Sequence, residues 1–223
     1  MRLPAPAALV FDMDGLLLDT ERLARDAFVA SCREYGIEAR LDVYHRCIGT
    51  TGARTREILD RGYAGELKLD AFSKIWTKYY DERVVNAQVP VKDGAVQLLA
   101  RCVERGVRCA LATSTHNRIV RLKLSSTGLG EYFEVMVTGD RVHNGKPHPE
   151  PYCTAVRELG LAPADCWALE DSENGVRSAH AAGLRVFQIP DLVEPPQALL
   201  DLGHTVFSSL RDVMDLLDEC GQG

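Results

Sequence analysis

The sequence lacks long apolar runs, clusters of basic residues, internal repeats and low-complexity segments. No apolar stretch approaches the length needed to cross a bilayer, so we expect no membrane partner. The formal charge is −6 and no basic cluster is present, so we expect no nucleic acid partner either. A chain of 223 residues with an otherwise ordinary composition fits one large domain, or a core with a small insert.

Paired cysteines are also missing. The seven cysteines are odd in number and widely spaced, and no Cys-x-x-Cys pair occurs among them. This pattern argues against a disulfide framework and against a zinc site. Because the N-terminus has no secretory signal pattern, the sequence predicts a cytoplasmic protein, and we expect it to be a monomer.

Short apolar runs alternate with helical patterns from Gly94 onward. The alternation predicts an α/β fold, a Rossmann-like parallel sheet core with helices on both faces. Residues 20–90 show only helical patterns, which indicates a small inserted α-helical cap domain between the two core segments, 1–19 and 91–223. The connections Gly15–Thr20 and Asn86–Asp93 would allow this cap to open and close.

Two aspartates, Asp12 and Asp14, follow the first apolar run and precede a glycine. Side chains alternate along a strand, so both carboxylates point the same way. Like charges this close require a bound cation or a proton on one of them. A cation beside a free carboxylate suggests phosphoryl transfer through an aspartyl phosphate. Taken alone, however, the pattern is almost as typical of a turn.

Three later segments favour the chemical interpretation. Thr113 and Ser114 follow an apolar run and precede a helix, where they form either a phosphate cradle or a plain helix cap. Lys146 is fixed between a glycine and two prolines, which suits a lysine that must hold a phosphate, although a solvated loop lysine is the alternative. Glu170 and Asp171 end another apolar run and suit Mg²⁺ as oxygen ligands. The alternative is that Asp171 or Ser172 caps the next helix, and both can hold, since one acid can bind metal while Ser172 caps.

The summed charge points to a metal. Four carboxylates and a phosphate ester would bring about six negative charges, against one positive charge from Lys146. A site of this kind would repel its substrate without a divalent cation, so we expect strict dependence on one. A raised proton affinity at one carboxyl also follows, and it suits Asp14 as a general acid.

Together, these segments resemble the four ordered motifs of the haloacid dehalogenase superfamily. The helical insert is similar to that of its β-phosphoglucomutase-like branch. The resemblance implies that Asp12 is the nucleophile and that Asp14 protonates the leaving oxygen and later activates water. It also implies that Thr113, Met13 and Ser114 bind the phosphoryl group and that Lys146 neutralises charge. The implied ligands of Mg²⁺ are Asp12, the main-chain carbonyl of Asp14, Glu170 and Asp171.

Substrate selection would belong to the cap and to the core loop that faces it. The candidates are Glu21, the segment 49–54 and above all Arg54, and the loop residues Thr115, His116 and Asn117. The expected partner is a small phosphorylated metabolite such as a sugar phosphate.

Four functions remain open at this point. A phosphatase is favoured over a phosphomutase because mutases of this branch carry a histidine where this chain has Ala24. Asp14 argues against a dehalogenase, because such members lack the second acid of the first motif. A catalytically silent binding protein would normally have lost a motif residue, and none is lost here.

Overall fold

The structure, a computed structural model, describes residues 3–48, 50, 52–85 and 88–220. The chain divides into two compact units. The core unit comprises Met1–Asp19 and Pro90–Gly223, and the inserted unit comprises Thr20–Val89. The roles predicted for these segments, a catalytic core and a cap, stay predictions. Gly49 and Thr51, part of the predicted segment 49–54, and Asn86, at the start of the second predicted connection, lie outside the described residues.

The core unit is built on a parallel sheet of six strands within the described residues. Its strands are β1 (Ala8–Phe11), β2 (Arg108–Ala112), β3 (Val135–Val137), β4 (Cys166–Glu170), β5 (Arg185–Gln188) and β6 (Thr205–Val206). They lie in the order β3-β2-β1-β4-β5-β6, which places β1 between β2 and β4. All four residues of β1 are buried, so both faces of the sheet are covered there. The predicted α/β fold is therefore confirmed.

Ten α-helices lie in the part of the chain that the structure describes. Along the chain they are α1 (Thr20–Tyr35), α2 (Leu41–His45), α3 (Gly52–Gly62), α4 (Leu69–Tyr80), α5 (Ala95–Glu104), α6 (Asn117–Thr127), α7 (Glu150–Leu159), α8 (Glu173–Ala181), α9 (Gln197–Leu200) and α10 (Leu210–Glu219). A π-helical turn, Asp81–Val85, follows α4. None of the described helices has the length and apolar character required to cross a membrane.

Local sequence fixes where several of these helices begin and end. Ser172 caps α8 by accepting a hydrogen bond from the Gly175 N–H group. Ser209 and Asp212 form a reciprocal capping box at the start of α10. Gly160 ends α7 in the left-handed conformation, which glycine adopts without steric cost.

The inserted unit has its own apolar core. Its α1–α4 helices bury an aromatic cluster in which the Phe28 ring lies 5.1 Å from Tyr44, 5.9 Å from Phe72 and 5.3 Å from Trp76, measured between ring centroids. The contacts of Phe28 with Phe72 and Trp76 are edge-to-face, a geometry that adds to the stabilisation from burial alone. The unit therefore holds together through its own aromatic packing.

The first predicted connection, Gly15–Thr20, is packed into the core unit. Leu16, Leu17 and Leu18 are buried, and the N–H groups of Leu17 and Leu18 both donate to the Met13 carbonyl at 3.0 Å. Burial of three leucines stabilises this packing. The predicted opening and closing at this connection stays a prediction. Gly15 permits the turn with a φ of 85°.

The loops after β2 and β3 approach each other closely at Gly139. A Cβ atom on Gly139 would lie 2.2 Å from the main-chain oxygen of Ser114, and the Gly139 N–H group donates to the Thr115 carbonyl at 3.0 Å. Only glycine allows this approach, because both contacting atoms belong to main chain that cannot rotate away. The loop that carries Ser114 and Thr115 therefore depends on Gly139 for its position.

We expect Gly139→Ala to destabilise the core unit by about 1–3 kcal/mol, as is usual for an overpacked site. Gly130→Ala is the matched control, because its Cβ would meet only an ordinary contact of 3.6 Å with Leu124. Urea denaturation of both variants measures the difference. Equal stability of the two variants would contradict the proposed close approach.

Candidate active site

The site lies at the carboxyl ends of three adjacent strands. Asp12 follows β1, Thr113 follows β2, and Glu170 is the last residue of β4. Parallel strands run in the same direction, so their carboxyl ends share one edge of the sheet, where open α/β sheets bind their ligands. The fold therefore brings together side chains that are more than 150 positions apart in the sequence.

Lys146 joins two of these acids through one buried ammonium group. Its Nζ atom lies 2.6 Å from Oδ1 of Asp12 and also donates to Oε1 of Glu170. The three side chains are 5%, 10% and 0% exposed, respectively. Glu150 orders the loop before Lys146 by accepting hydrogen bonds from the N–H groups of His143 at 2.8 Å and Asn144 at 3.0 Å.

Glu170 is held from several sides. The Tyr152 hydroxyl donates to its Oε1 atom at 2.6 Å, and the main-chain N–H of Asp171 donates to its Oε2 atom at 3.2 Å. A Cβ atom on Gly175 would lie 1.9 Å from the carboxyl carbon of Glu170. The glycine five positions after the acid is therefore required by the space that the carboxylate occupies.

Burial dominates the protonation of this cluster. It raises the pKa of Asp12 to about 8, an increase to which the charges of Glu170 and Asp14 contribute and which Lys146 opposes. Burial also acts to lower the pKa of Lys146, but the charges of Asp12 and Glu170 outweigh it and raise that pKa above the ordinary value. Lys146 is therefore a fixed cation, whereas Asp12 needs a proton or another cation beside it at neutral pH.

Asp12, Glu170 and Asp171 also fit a metal ion. One carboxylate oxygen from each lies within 4.8 Å of the other two, and all three residues are buried. Three carboxylates carry more negative charge than Lys146 can balance, and hard oxygen donors are the ligands that divalent cations prefer. A divalent metal thus suits this donor set. The predicted contribution of the Asp14 carbonyl to the metal site stays a prediction.

The Asp14 carboxylate makes contacts of its own. Lys123, in α6, donates from Nζ to Oδ1 of Asp14 at 2.7 Å. The Thr115 hydroxyl donates to Oδ2 at 2.6 Å. The two acids of the Asp-x-Asp pair therefore face different lysines, Lys146 for Asp12 and Lys123 for Asp14.

The loop after β2 carries the predicted phosphoryl-binding residues. Thr113 is buried, and its Oγ1 atom accepts a hydrogen bond from the Thr115 N–H group at 3.1 Å, whereas Ser114 is exposed. His116 caps α6, and the Asn117 N–H group donates to Asp140 at 2.8 Å. The helix-cap interpretation of Thr113 and Ser114 is therefore wrong, because the cap falls to His116. Their contacts with a phosphoryl group stay a prediction.

The remaining predicted residues are Met13, Glu21 and Arg54. Met13 is buried directly between the two aspartates, and its carbonyl accepts hydrogen bonds from the loop that follows. Glu21 and Arg54 belong to the inserted unit, where Arg54 forms an exposed ion pair with Glu57 at 2.7 Å. The roles of Glu21 and Arg54 in substrate selection stay predictions.

Sequence reasoning missed three residues of this site: Lys123, Tyr152 and Gln188. The side-chain amide of Gln188 donates to the Asp171 carbonyl at 3.2 Å and so supports a candidate metal ligand. Tyr152 and Gln188 lie in a helix and a strand whose patterns indicate packing only. Lys123 is flanked by Leu122 and Leu124, and this apolar neighbourhood was the one available signal for a buried lysine.

Comparisons with known proteins agree with this geometry. The family model for haloacid dehalogenase-like hydrolases matches residues 9–189. The protein CbbY of Rhodobacter capsulatus is 37% identical over 193 residues, which cover 82% of this chain and 85% of CbbY. The phosphorylated carbohydrates phosphatase of Thermotoga maritima is 32% identical over 215 residues, covering 95% and 98% of the two chains. A solved structure of a CbbY variant from Rhodobacter sphaeroides, in complex with xylulose 1,5-bisphosphate, is 28% identical with a TM-score of 0.71, covering 92% and 95%.

A parallel sheet with acids at the ends of β1 and β4, a threonine at the end of β2 and a buried lysine among them fits an enzyme of the α/β class. The chain belongs to the haloacid dehalogenase-like hydrolases. Within that family it falls in the β-phosphoglucomutase-like branch, and it is an enzyme of the phosphatase type. The predictions of family, branch and enzyme class are thus confirmed.

Metal binding should stabilise this protein more strongly as the pH rises. The folded-state pKa of Asp12, about 8, exceeds the ordinary value of 3.8, so the folded state holds a proton that the unfolded state has lost. The metal-free protein therefore loses stability as the pH rises between these values. A metal must displace that proton below about pH 8, and it binds without this competition above.

Thermal unfolding with and without Mg²⁺, between about pH 6 and about pH 9, measures this effect. We expect the increase in Tm caused by Mg²⁺ to grow across this range. Asp12→Asn carries no titratable group at this position, so its Tm should vary less with pH. A metal-induced increase that is constant across the range would contradict the proposed competition.

Proposed function

We propose that this chain is a Mg²⁺-dependent phosphatase that hydrolyses a small sugar phosphate through an aspartyl phosphate on Asp12. The observation that carries this proposal is the buried Asp12 carboxylate, which lies against a fixed ammonium and beside two further acids. A carboxylate nucleophile needs positive charge beside itself and beside the phosphoryl group. Lys146 and a metal bound by the neighbouring acids would supply that charge.

In the first half-reaction Asp12 attacks phosphorus. The bond between phosphorus and Asp12 forms while the bond between phosphorus and the sugar oxygen breaks, and Asp14 gives its proton to the departing oxygen. Lys146 offsets the charge on Asp12 and the phosphoryl group. Thr113 and the main chain of Met13 and Ser114 hold the phosphoryl oxygens.

In the second half-reaction water attacks the same phosphorus. Asp14, now a carboxylate, takes a proton from that water, and the bond between phosphorus and Asp12 breaks to release phosphate. When bound by Asp12, Glu170, Asp171 and the Asp14 carbonyl, Mg²⁺ would supply charge neutralisation and orientation of the phosphoryl oxygens. Asp14 thus acts as acid in the first half and base in the second.

The substrate class rests on the relatives. One is named for phosphorylated carbohydrates, and a CbbY variant binds a ketopentose bisphosphate. We assign the same class of ester to this chain. Glu21 and Arg54 of the inserted unit would select the sugar together with the loop residues Thr115, His116 and Asn117.

A phosphomutase remains the second candidate, because solved structures of that type lie among the similar folds. It would return the phosphoryl group to the sugar rather than to water. Ala24 disfavours it, because no imidazole is available at the position where mutases of this branch carry a histidine. Phosphate release and sugar isomerisation distinguish the two.

Asp12→Asn should reduce turnover by roughly 10³-fold or more, because the amide cannot attack phosphorus to form an acyl phosphate. The variant should remain folded, since it removes a buried ionisable carboxyl without changing its shape. Asp165→Asn is the control: this acid is exposed at the opposite end of β4 and should leave turnover unchanged. Retained turnover in Asp12→Asn would rule out the mechanism.

Release of inorganic phosphate from a panel of esters, with and without Mg²⁺, tests the activity itself. The panel contains hexose monophosphates, β-glucose 1-phosphate, xylulose 1,5-bisphosphate and a phosphorylated non-sugar alcohol. We expect metal-dependent release with sugar phosphates preferred. Glucose 6-phosphate formed from β-glucose 1-phosphate without net phosphate release would instead identify a mutase.

Arg54→Ala should raise KM for the preferred ester while changing kcat little, because a distant phosphate or hydroxyl contact contributes equally to the bound substrate and the transition state. Arg56→Ala provides the control, since this neighbouring arginine of α3 pairs with Asp70 at 2.8 Å. A large decrease in kcat at unchanged KM would show that Arg54 has a different role.

A further inference from the structure

Lys123 is a buried lysine that none of the four motifs contains. It lies in α6 with a fully buried side chain, and its Nζ atom is 2.7 Å from Oδ1 of Asp14. Within the described part of the chain, Asp14 is the one carboxylate within ion-pair distance of this ammonium. A buried ammonium is costly unless it is paired, so the contact with Asp14 is what allows a lysine at this position.

Thr115 holds the other oxygen of the same carboxylate. Its hydroxyl lies 2.6 Å from Oδ2 of Asp14, and Gly139 fixes the loop around it by donating to the Thr115 carbonyl. Both carboxylate oxygens of Asp14 therefore accept hydrogen bonds from donors in the segment that follows β2. Its side chain is 20% exposed, so it remains reachable by a substrate.

The two donors differ in what they permit. An ammonium has only hydrogens to offer, so an oxygen bonded to it must accept and cannot carry a proton in that direction. A threonine hydroxyl can donate to a carboxylate oxygen or accept from a protonated one. The lone pair of Oδ1 that faces Lys123 is thereby restricted to accepting, whereas Oδ2, bound to Thr115, can gain and lose a proton against a partner that accepts or donates.

We propose that Lys123 is a positioning residue that fixes Oδ2 of Asp14 as the oxygen through which the proton is transferred. The inference rests on the proposed function, in which Asp14 is the general acid and base. In the first half-reaction the Oδ2–H bond breaks and the sugar oxygen gains the proton. In the second half-reaction Oδ2 takes a proton from the attacking water. Lys123 keeps its contact with Oδ1 in both.

Two substrates with different leaving groups distinguish a positioning role of Lys123 from simple structural support. A sugar alkoxide needs a proton as it departs, whereas p-nitrophenolate departs without one. The ratio kcat/KM reports steps only up to the formation of the aspartyl phosphate, because that step is irreversible when the alcohol is dilute. Loss of a positioned proton donor therefore lowers kcat/KM for a sugar phosphate and largely spares p-nitrophenyl phosphate.

The experiment measures kcat/KM for both esters in Lys123→Met, Asp14→Asn and Lys92→Met, with Tm as the check on folding. Lys92 is the matched control, because it also forms an inward-facing ion pair, 2.6 Å from Asp191, in the core unit. We expect Lys123→Met to lower kcat/KM by about 10- to 100-fold for the sugar phosphate and by less than about 3-fold for p-nitrophenyl phosphate. Lys92→Met should affect both esters equally.

The outcomes separate the two ideas. Equal losses for both esters in Asp14→Asn would overturn the acid role in the proposed function, whatever Lys123 does. A selective loss in Asp14→Asn together with equal losses in Lys123→Met would overturn the positioning role alone. If Lys123→Met does not fold, Lys123→Gln takes its place: the amide lacks the charge and the reach of the ammonium and should give the same selective loss, and equal losses would again overturn the proposal.

Discussion

The sharing of one buried ammonium by two carboxylates is the constraint on which the rest of the site depends. Lys146 contacts Asp12 and Glu170 where almost no water reaches, so one positive charge must serve two negative ones. The imbalance explains why burial leaves Asp12 with a raised pKa and why a further cation is favourable beside it. The Tyr152 hydroxyl donates to Glu170, and the absence of a side chain at Gly175 leaves room for its carboxylate. Both features hold Glu170 in position beside Lys146.

The Asp-x-Asp pair acquires two chemical characters from two environments. Asp12 is almost fully buried and lies against Lys146. Glu150 orders the loop that precedes Lys146. Asp14 is more exposed and is held by Lys123 and Thr115, whose positions depend on α6 and on the close approach at Gly139. In the proposed mechanism these two environments suit different tasks, nucleophile for Asp12 and proton carrier for Asp14, because each aspartate has its own lysine.

Much of this arrangement could be predicted from the sequence because strand ends leave a clear signal. Asp12 and Glu170 each follow an unbroken apolar run, and the parallel topology then brings such positions to one edge. Lys123 could not be predicted in the same way, since a lysine between two leucines on a helix usually extends to solvent. Its burial is decided by an acid 109 positions away. The packing of the connection after Asp14 also lay outside the prediction, because the three leucines Leu16–Leu18 bury in the core unit.

The connection between the two units has a consequence for how such chains diversify. Leu18 forms an antiparallel bridge with Val91, and the Asp19 N–H group donates to the Pro90 carbonyl at 2.8 Å, so the chain leaves the core unit and returns to it at adjacent points. For the sheet, the whole of Thr20–Val89 is therefore topologically equivalent to a hairpin loop, whose length carries only a small entropic cost. Segments of very different size and surface can be exchanged at this junction while the strand order and the charged edge persist. A change in the length of this insert therefore requires no change in the sheet that carries the charged edge.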